Sequence, residues 1–184
     1  MNIPNYITYF RIILIPFLIL IFYIPEPQLS EFNRNLIALL IFITAGISDW
    51  LDGYLARKLK LESKFGAFID PVADKLIVMV ALIILVDLSR INVIVASIII
   101  GREIAISALR EWMAQIGSAK NVAVAFIGKL KTTLQFIAIS LLLFYTNVLF
   151  IPVIFLGQLA MGIAVSLTII SMIYYLKQAF NSEN

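Results

Sequence analysis

The chain has 184 residues, the length of a single domain, and 62% of them are hydrophobic, against about 45–50% in soluble proteins. With a mean hydropathy of +1.02, this composition predicts an integral membrane protein. Cysteine and histidine are absent from the sequence, which excludes disulfides, thiolate metal sites and the commonest general base. Any acid–base chemistry must therefore come from carboxylates or lysines.

Apolar segments long enough to cross a bilayer, about 20 residues each, follow one another along the chain. The first covers about 3–24 and contains Arg11 and Pro16; it lacks an A-x-A-like cleavage site, so we expect it to be retained. The next three cover about residues 35–57, 66–86 and 91–113. From 132 to 176 no residue is charged, and Tyr145-Thr146-Asn147 followed by Pro152 predicts a hairpin between two further spans.

These segments predict an all-α, polytopic membrane protein with six transmembrane helices and a single domain over 1–184. Charge placement favours both termini in the cytoplasm, because cytoplasmic ends of membrane helices carry an excess of Lys and Arg. With that topology only Arg34 and Arg90 lie outside. The cations on the cytoplasmic side are Arg11, Arg57, Lys58, Lys60, Lys64, Lys75, Arg102, Arg110, Lys120, Lys129, Lys131 and Lys177.

Four aspartates lie where the second and third segments approach each other. On a helix Asp49, Asp52 and Ala56 share one face at i, i+3 and i+7, and Asp70 and Asp74 share another at i, i+4. If the two helices are neighbours, four carboxylates converge. Unpaired, they would cost on the order of 10 kcal/mol in a bilayer, so a positive partner is required, and Mg²⁺ suits carboxylate oxygens and substrate phosphates.

Two arginines of the fourth segment form a second polar feature. Arg102 and Arg110 are eight residues apart, so they lie on nearly the same helix face. This spacing favours an anion site, and the alternative is ion pairing with the adjacent Glu103 or Glu111.

The lysines need a separate interpretation. Lysines near the ends of membrane helices commonly reach the aqueous interface, and we assign that role to Lys58, Lys60, Lys64, Lys120 and Lys177. Lys129 and Lys131 are two residues apart, so they cannot both face the bundle interior.

The aspartate motif resembles the signature of the CDP-alcohol phosphatidyltransferase family. The eight matching positions are Asp49, Asp52, Gly53, Ala56, Arg57, Gly66, Asp70 and Asp74. The N-terminal N-I-P-N-Y-I-T-Y-F-R also resembles the opening of that family, and G-R-E-I with G-K-L-K-T resembles its bacterial phosphatidylglycerophosphate synthases.

The resemblance implies an enzyme that displaces CMP from a CDP-linked lipid by an alcohol at a site holding two divalent ions, Mg²⁺ or Mn²⁺. It implies that Asp49, Asp52 and Asp70 are metal ligands, and that Asp74 is both a metal ligand and the general base. The expected CDP-lipid contacts are Asn5, Thr8, Asp52, Gly53, Ala56, Arg57 and Gly66. The resemblance also implies a homodimer in a bacterial cytoplasmic membrane, and the charge-based topology puts the active site on the cytoplasmic side.

The acceptor depends on the basic residues. A phosphorylated alcohol needs a cationic pocket, which could be formed by Arg102, Arg110 and one of Lys129 and Lys131. We expect sn-glycerol 3-phosphate as acceptor and CDP-diacylglycerol as donor, with a phosphatidylinositol-phosphate synthase as the alternative. A divalent-cation transporter is the alternative from another class, although the acidic residues cluster at one depth and no relay crosses the membrane. No nucleic-acid partner is expected.

Overall fold

The structure is a computed structural model that describes residues 3–59, 64–115 and 125–181. Within these ranges the chain forms α-helices, one short 3₁₀ turn over Ile21–Tyr23, and no β-strand. The helices are α1 (Ile3–Leu20), α2 (Glu31–Leu59), α3 (Lys64–Asp87), α4 (Val93–Gln115), α5 (Ala125–Phe144) and α6 (Val153–Asn181). The predicted all-α class is confirmed, and each predicted span corresponds to one helix.

The helix boundaries follow local chemistry that hydropathy does not detect. Helix α2 begins at Glu31 rather than near residue 35, because the Ser30 hydroxyl accepts a hydrogen bond from the Asn33 backbone N–H at 3.4 Å and caps the helix. The predicted hairpin lies where expected, between the end of α5 at Phe144 and the start of α6 at Val153.

Two of the described helices are long and apolar enough to cross a membrane, over Glu31–Leu51 and Val153–Tyr174. Shorter apolar stretches cover Ile7–Tyr23 and Leu130–Phe144. Many large apolar side chains of the bundle are exposed, as expected of a surface that faces lipid.

The core lies where α1, α2, α3 and α5 meet, and fully buried residues such as Leu18, Leu82 and Ile139 fill it. Helices α2 and α5 approach closely at Gly46. A Cβ atom at that position would lie 2.5 Å from the Phe136 ring, which stacks on Phe42 with centroids 4.9 Å apart. Gly46 is therefore required for the packing of α2 against α5.

The C-terminus of α3 ends in a Schellman motif. The Arg90 N–H donates to the Leu85 carbonyl at 2.8 Å and the Ser89 N–H to the Val86 carbonyl at 2.9 Å, with Ser89 in the left-handed region at φ 56°. This turn directs the Arg90 side chain back into the bundle.

Arg90 ties three helices together at this end. Its guanidinium contacts the carbonyl oxygens of Leu142 and Leu143 at 2.9 Å each, Asn35 Oδ1 at 2.8 Å, and the Tyr145 ring, whose centroid is 4.3 Å from Cζ. The two carbonyls belong to the last turn of α5, so Arg90 caps that helix. Burial lowers the pKa of Arg90, and the Glu31 carboxylate at 3.7 Å opposes that effect.

Candidate active site

Two of the predicted aspartates face one cavity between α2, α3 and α5. Asp49 comes from α2 and Asp74 from α3, and both side chains are accessible. The cavity has a volume of about 550 Å³ and is otherwise mostly apolar. Its other lining residues are Phe42, Ala45, Gly46, Ile47, Trp50, Ile77, Val78, Thr132, Thr133 and Phe136.

Helix α1 brings a buried cation to the same place. Nη1 of Arg11, whose side chain is buried, lies 2.9 Å from Oδ1 of the half-exposed Asp49. Among the residues that the structure describes, this ion pair is the only polar contact of the guanidinium, and none of its nitrogens makes a hydrogen bond of good geometry. Thr8, a predicted CDP-lipid contact, is buried one turn before Arg11 on α1.

The remaining motif positions lie on the expected helices, but their side chains are outside the described part of the chain. Asp52, Gly53, Ala56 and Arg57 belong to α2, and Gly66 and Asp70 belong to α3; the side chain of Asn5 on α1 is likewise outside it. The described side chains contain no group of three acidic residues that could hold a metal. The convergence of four carboxylates therefore stays a prediction, of which Asp49 and Asp74 are the described half.

A second polar cluster joins α4, α5 and α6. Arg102 is buried, with Nη1 at 3.3 Å from Oε1 of Glu103 and Nη2 donating to the Ser171 hydroxyl at 3.2 Å. Lys131 is buried and donates to the same Glu103 oxygen. Ion pairing of Arg102 with Glu103, the alternative left open by the sequence, is thus present, and we call Arg102, Glu103 and Lys131 the α4–α5 cluster.

The two polar regions act on each other electrostatically. The Asp74 carboxylate interacts with the charges of Asp49, Arg11, Glu103 and Lys75. Lys75, next to Asp74 on α3, donates to the Ser107 hydroxyl one turn beyond Glu103 on α4. The aspartates and the α4–α5 cluster are therefore neighbouring parts of one polar region.

Sequence reasoning missed several of these partners. The contact of Arg11 with Asp49, the shared contact of Lys131 with Glu103, and the role of Ser171 all join distant helices. The available signal was the burial cost of Arg11 and Lys131 within apolar segments, which requires a counter-charge without identifying it. The side chains of Arg110 and Lys129 lie outside the described part of the chain.

This arrangement suits a substrate that is apolar in one part and anionic in another. The apolar cavity offers a surface for hydrocarbon, accessible carboxylates at its polar edge can bind a hard cation, and arginine and lysine lie beside them. A model of the CDP-alcohol phosphatidyltransferase family matches residues 1–170 of the chain. The chain belongs to this family.

Relatives of this CDP-alcohol phosphatidyltransferase cover nearly its whole length. The CDP-diacylglycerol–glycerol-3-phosphate 3-phosphatidyltransferase of Haemophilus influenzae is 50% identical over 184 residues, which are 98% of this chain and 95% of the relative. Proteins of the same name from Escherichia coli strain K12 and Salmonella choleraesuis are 46% and 44% identical, each over 97% of this chain and 94% of the relative. The family is generally dependent on divalent metals.

Proposed function

We propose that this transferase moves the phosphatidyl group of CDP-diacylglycerol to sn-glycerol 3-phosphate, giving phosphatidylglycerol phosphate and CMP. The resemblance of the whole chain to relatives named for this reaction supports the assignment. The observation that carries it in the structure is the pairing of accessible carboxylates at an apolar cavity with a neighbouring cluster of buried cations. The pyrophosphate of the lipid donor needs the carboxylates, which can bind metal ions, and a phosphorylated acceptor needs the cations.

The donor set fits two divalent ions, Mg²⁺ or Mn²⁺. Asp49 and Asp74 offer hard oxygen ligands at the edge of a mostly apolar cavity, and we assign Asp52 and Asp70 as the further ligands. When bound, the ions neutralise the pyrophosphate and the charge that develops on the leaving CMP. We assign Arg57 to the donor phosphate and Gly53, Ala56 and Gly66, with Asn5 and Thr8, to the nucleotide part of the lipid.

Asp74 is the proposed base for the acceptor. Its carboxylate is accessible, and no described side chain holds it in a hydrogen bond or ion pair, so it can accept a hydrogen bond from the primary hydroxyl of glycerol 3-phosphate. As the hydroxyl proton moves toward Asp74, the oxygen forms a bond to the β-phosphorus of the CDP-lipid and the bond to CMP breaks. Orientation and electrostatics supply most of the acceleration in such transfers.

The acceptor phosphate is assigned to Arg102 and Lys131, with Arg110 from the same helix as Arg102; since Lys131 is buried, it rather than Lys129 is the lysine assigned to the site. Arg102 on α4 and Lys131 on α5 are both buried, and both contact Glu103. Two cations in one cluster favour a phosphorylated acceptor over one without a phosphate, such as inositol or serine.

For the membrane, we propose six spans with both termini in the cytoplasm, a single domain over 1–184 and an active site that faces the cytoplasm. The apolar exposed surface and the twelve-to-two charge asymmetry support this topology. We also propose that the protein is a homodimer in a bacterial cytoplasmic membrane.

The decisive experiment is an acceptor panel. Purified protein in detergent receives CDP-diacylglycerol and Mg²⁺ with glycerol 3-phosphate, inositol phosphate, inositol or serine, and the lipid product is identified by mass spectrometry. We expect phosphatidylglycerol phosphate from the first and no product from the others. A phosphatidylinositol phosphate product would replace this assignment by the alternative synthase, and Mg²⁺ flux into liposomes without any lipid product would replace it by a transporter.

A further inference from the structure

The two carboxylate oxygens of Glu103 differ in their contacts with the protein. Arg102 Nη1 and Lys131 Nζ both contact Oε1. Among the described residues no side chain donates a hydrogen bond to Oε2, and the Glu103 side chain keeps 22% of its surface exposed. The carboxylate is therefore oriented by two cations while one acceptor oxygen stays available to a ligand.

A purely structural counter-charge does not require this geometry. Balancing two buried cations would be served best by one oxygen for each cation, since every lone pair of a buried carboxylate then has a donor. Here both cations contact the same oxygen, so the other oxygen, which still carries part of the negative charge, can accept a further hydrogen bond.

The position of Glu103 suggests which part of the acceptor it contacts, namely the central carbon. Glu103 lies in the α4–α5 cluster, to which we assigned the acceptor phosphate. One turn further along α4, Ser107 accepts a hydrogen bond from Lys75, the neighbour of Asp74, to which we assigned the primary hydroxyl. In glycerol 3-phosphate the carbon between those two groups bears the secondary hydroxyl. A carboxylate oxygen between the cations assigned to the phosphate and the aspartate assigned to the primary hydroxyl would be suited to accept a hydrogen bond from that secondary hydroxyl.

We propose that Oε2 of Glu103 accepts a hydrogen bond from the secondary hydroxyl of glycerol 3-phosphate. Glu103 is then a residue that determines acceptor specificity. The inference rests on the proposed function, because it requires glycerol 3-phosphate in this pocket. Arg102 and Lys131 hold the carboxylate in place and bind the phosphate, while Glu103 distinguishes a 2-hydroxylated acceptor from one that lacks this group.

The test compares glycerol 3-phosphate with 3-hydroxypropyl phosphate, which keeps the primary hydroxyl and the phosphate at the same spacing but has no secondary hydroxyl. Since a hydrogen bond to a charged group is the interaction lost, we expect wild-type kcat/KM to be about 10- to 100-fold higher for glycerol 3-phosphate. In Glu103→Met, which has no oxygen acceptor, we expect the ratio to fall to within about threefold of unity. Glu103→Gln keeps a neutral acceptor oxygen, so its ratio should fall between the two.

Glu111→Gln is the matched control, because Glu111 is an exposed carboxylate on the same helix; its ratio should equal that of wild type. If Glu103→Met fails to bind CDP-diacylglycerol and is judged misfolded, the substrate ratio of Glu103→Gln is used as the test instead. A wild-type enzyme without preference, or a ratio unchanged in Glu103→Gln, overturns the inference and leaves the proposed function standing. No transfer by wild type to either acceptor overturns both.

Discussion

Arg90 and Arg11 are both buried guanidinium groups, and they contact different parts of α2: Arg90 its first residue, Glu31, and Arg11 Asp49, in its second half. Arg90 donates to the last carbonyls of α5 and to Asn35, and it stacks on an aromatic ring. Arg11 contacts Asp49 at 2.9 Å and makes no hydrogen bond of good geometry with any residue the structure describes.

The difference separates a structural arginine from a functional one. A buried cation such as Arg90, both of whose terminal nitrogens donate to fixed acceptors, contributes to the fold, because each of these hydrogen bonds replaces one lost from water. A buried cation whose only described contact is an accessible carboxylate at a cavity is costly for the fold. We infer that the Arg90 end maintains the bundle and that the aspartate end, with Arg11, is shaped for an anionic substrate and its metals.

The largest effect is expected at the aspartate end of α3. Asp74→Asn removes the proposed base and a metal ligand, so we expect kcat to fall by about 10³-fold or more while CDP-diacylglycerol binding remains measurable. The control is Asp87→Asn, an exposed aspartate at the other end of the same helix, which should retain wild-type turnover. Wild-type-like activity in Asp74→Asn would contradict the assignment.

The next largest effect is expected from removing the guanidinium of Arg90, which we assign to the fold. Arg90→Met leaves two helix-end carbonyls and the Asn35 side chain without their donor, so we expect a stability loss of about 3 kcal/mol. Thermal unfolding in detergent measures this loss, and kcat of the fraction that remains folded should change little. A large loss of kcat at unchanged stability would assign Arg90 to the chemistry instead.

Arg11→Met should behave in the opposite way. Because Arg11 positions Asp49 and makes no other polar contact with the described residues, we expect kcat/KM to fall by about 10- to 100-fold with a smaller change in unfolding temperature than in Arg90→Met. Arg11→Lys keeps the charge and should recover part of the activity. If Arg11→Met is as unstable as Arg90→Met and its folded fraction is fully active, the functional role of Arg11 is wrong.

The smallest expected change in stability concerns Ser89, in the turn that directs the Arg90 side chain into the bundle. Ser89 adopts φ 56°, a conformation that costs a residue with a Cβ about 1 kcal/mol relative to glycine. Ser89→Gly should therefore stabilise the protein by about 0.5–1 kcal/mol and leave kcat unchanged. Ser97→Gly is a contrasting control: this exposed residue lies inside α4, where glycine destabilises. A stability loss in Ser89→Gly would show that the serine side chain matters more than the strain.

Sequence periodicity and hydropathy predicted the helices well because long apolar segments in this chain have few alternatives to helix. The early start of α2 was missed because the Ser30 cap lies in a polar segment. Motif spacing predicted that Asp49 and Asp74 would meet, and they do line one cavity. The contact between Lys131 and Glu103 could not be predicted, since it depends on how α5 packs near α4, and apolar faces with similar patterns do not specify that packing.

The rigidity of α3 has a consequence for the depth of catalysis. Asp74 and Asp87 lie on one continuous helix, about 20 Å apart at 1.5 Å per residue. In the proposed topology, an untilted α3 with its Asp87 end at one boundary of a hydrocarbon layer about 30 Å thick would place Asp74 about 10 Å inside the opposite boundary. On that placement the lipid headgroup would have to descend below its resting level, or the bilayer would have to thin around the protein, before the two substrates could meet.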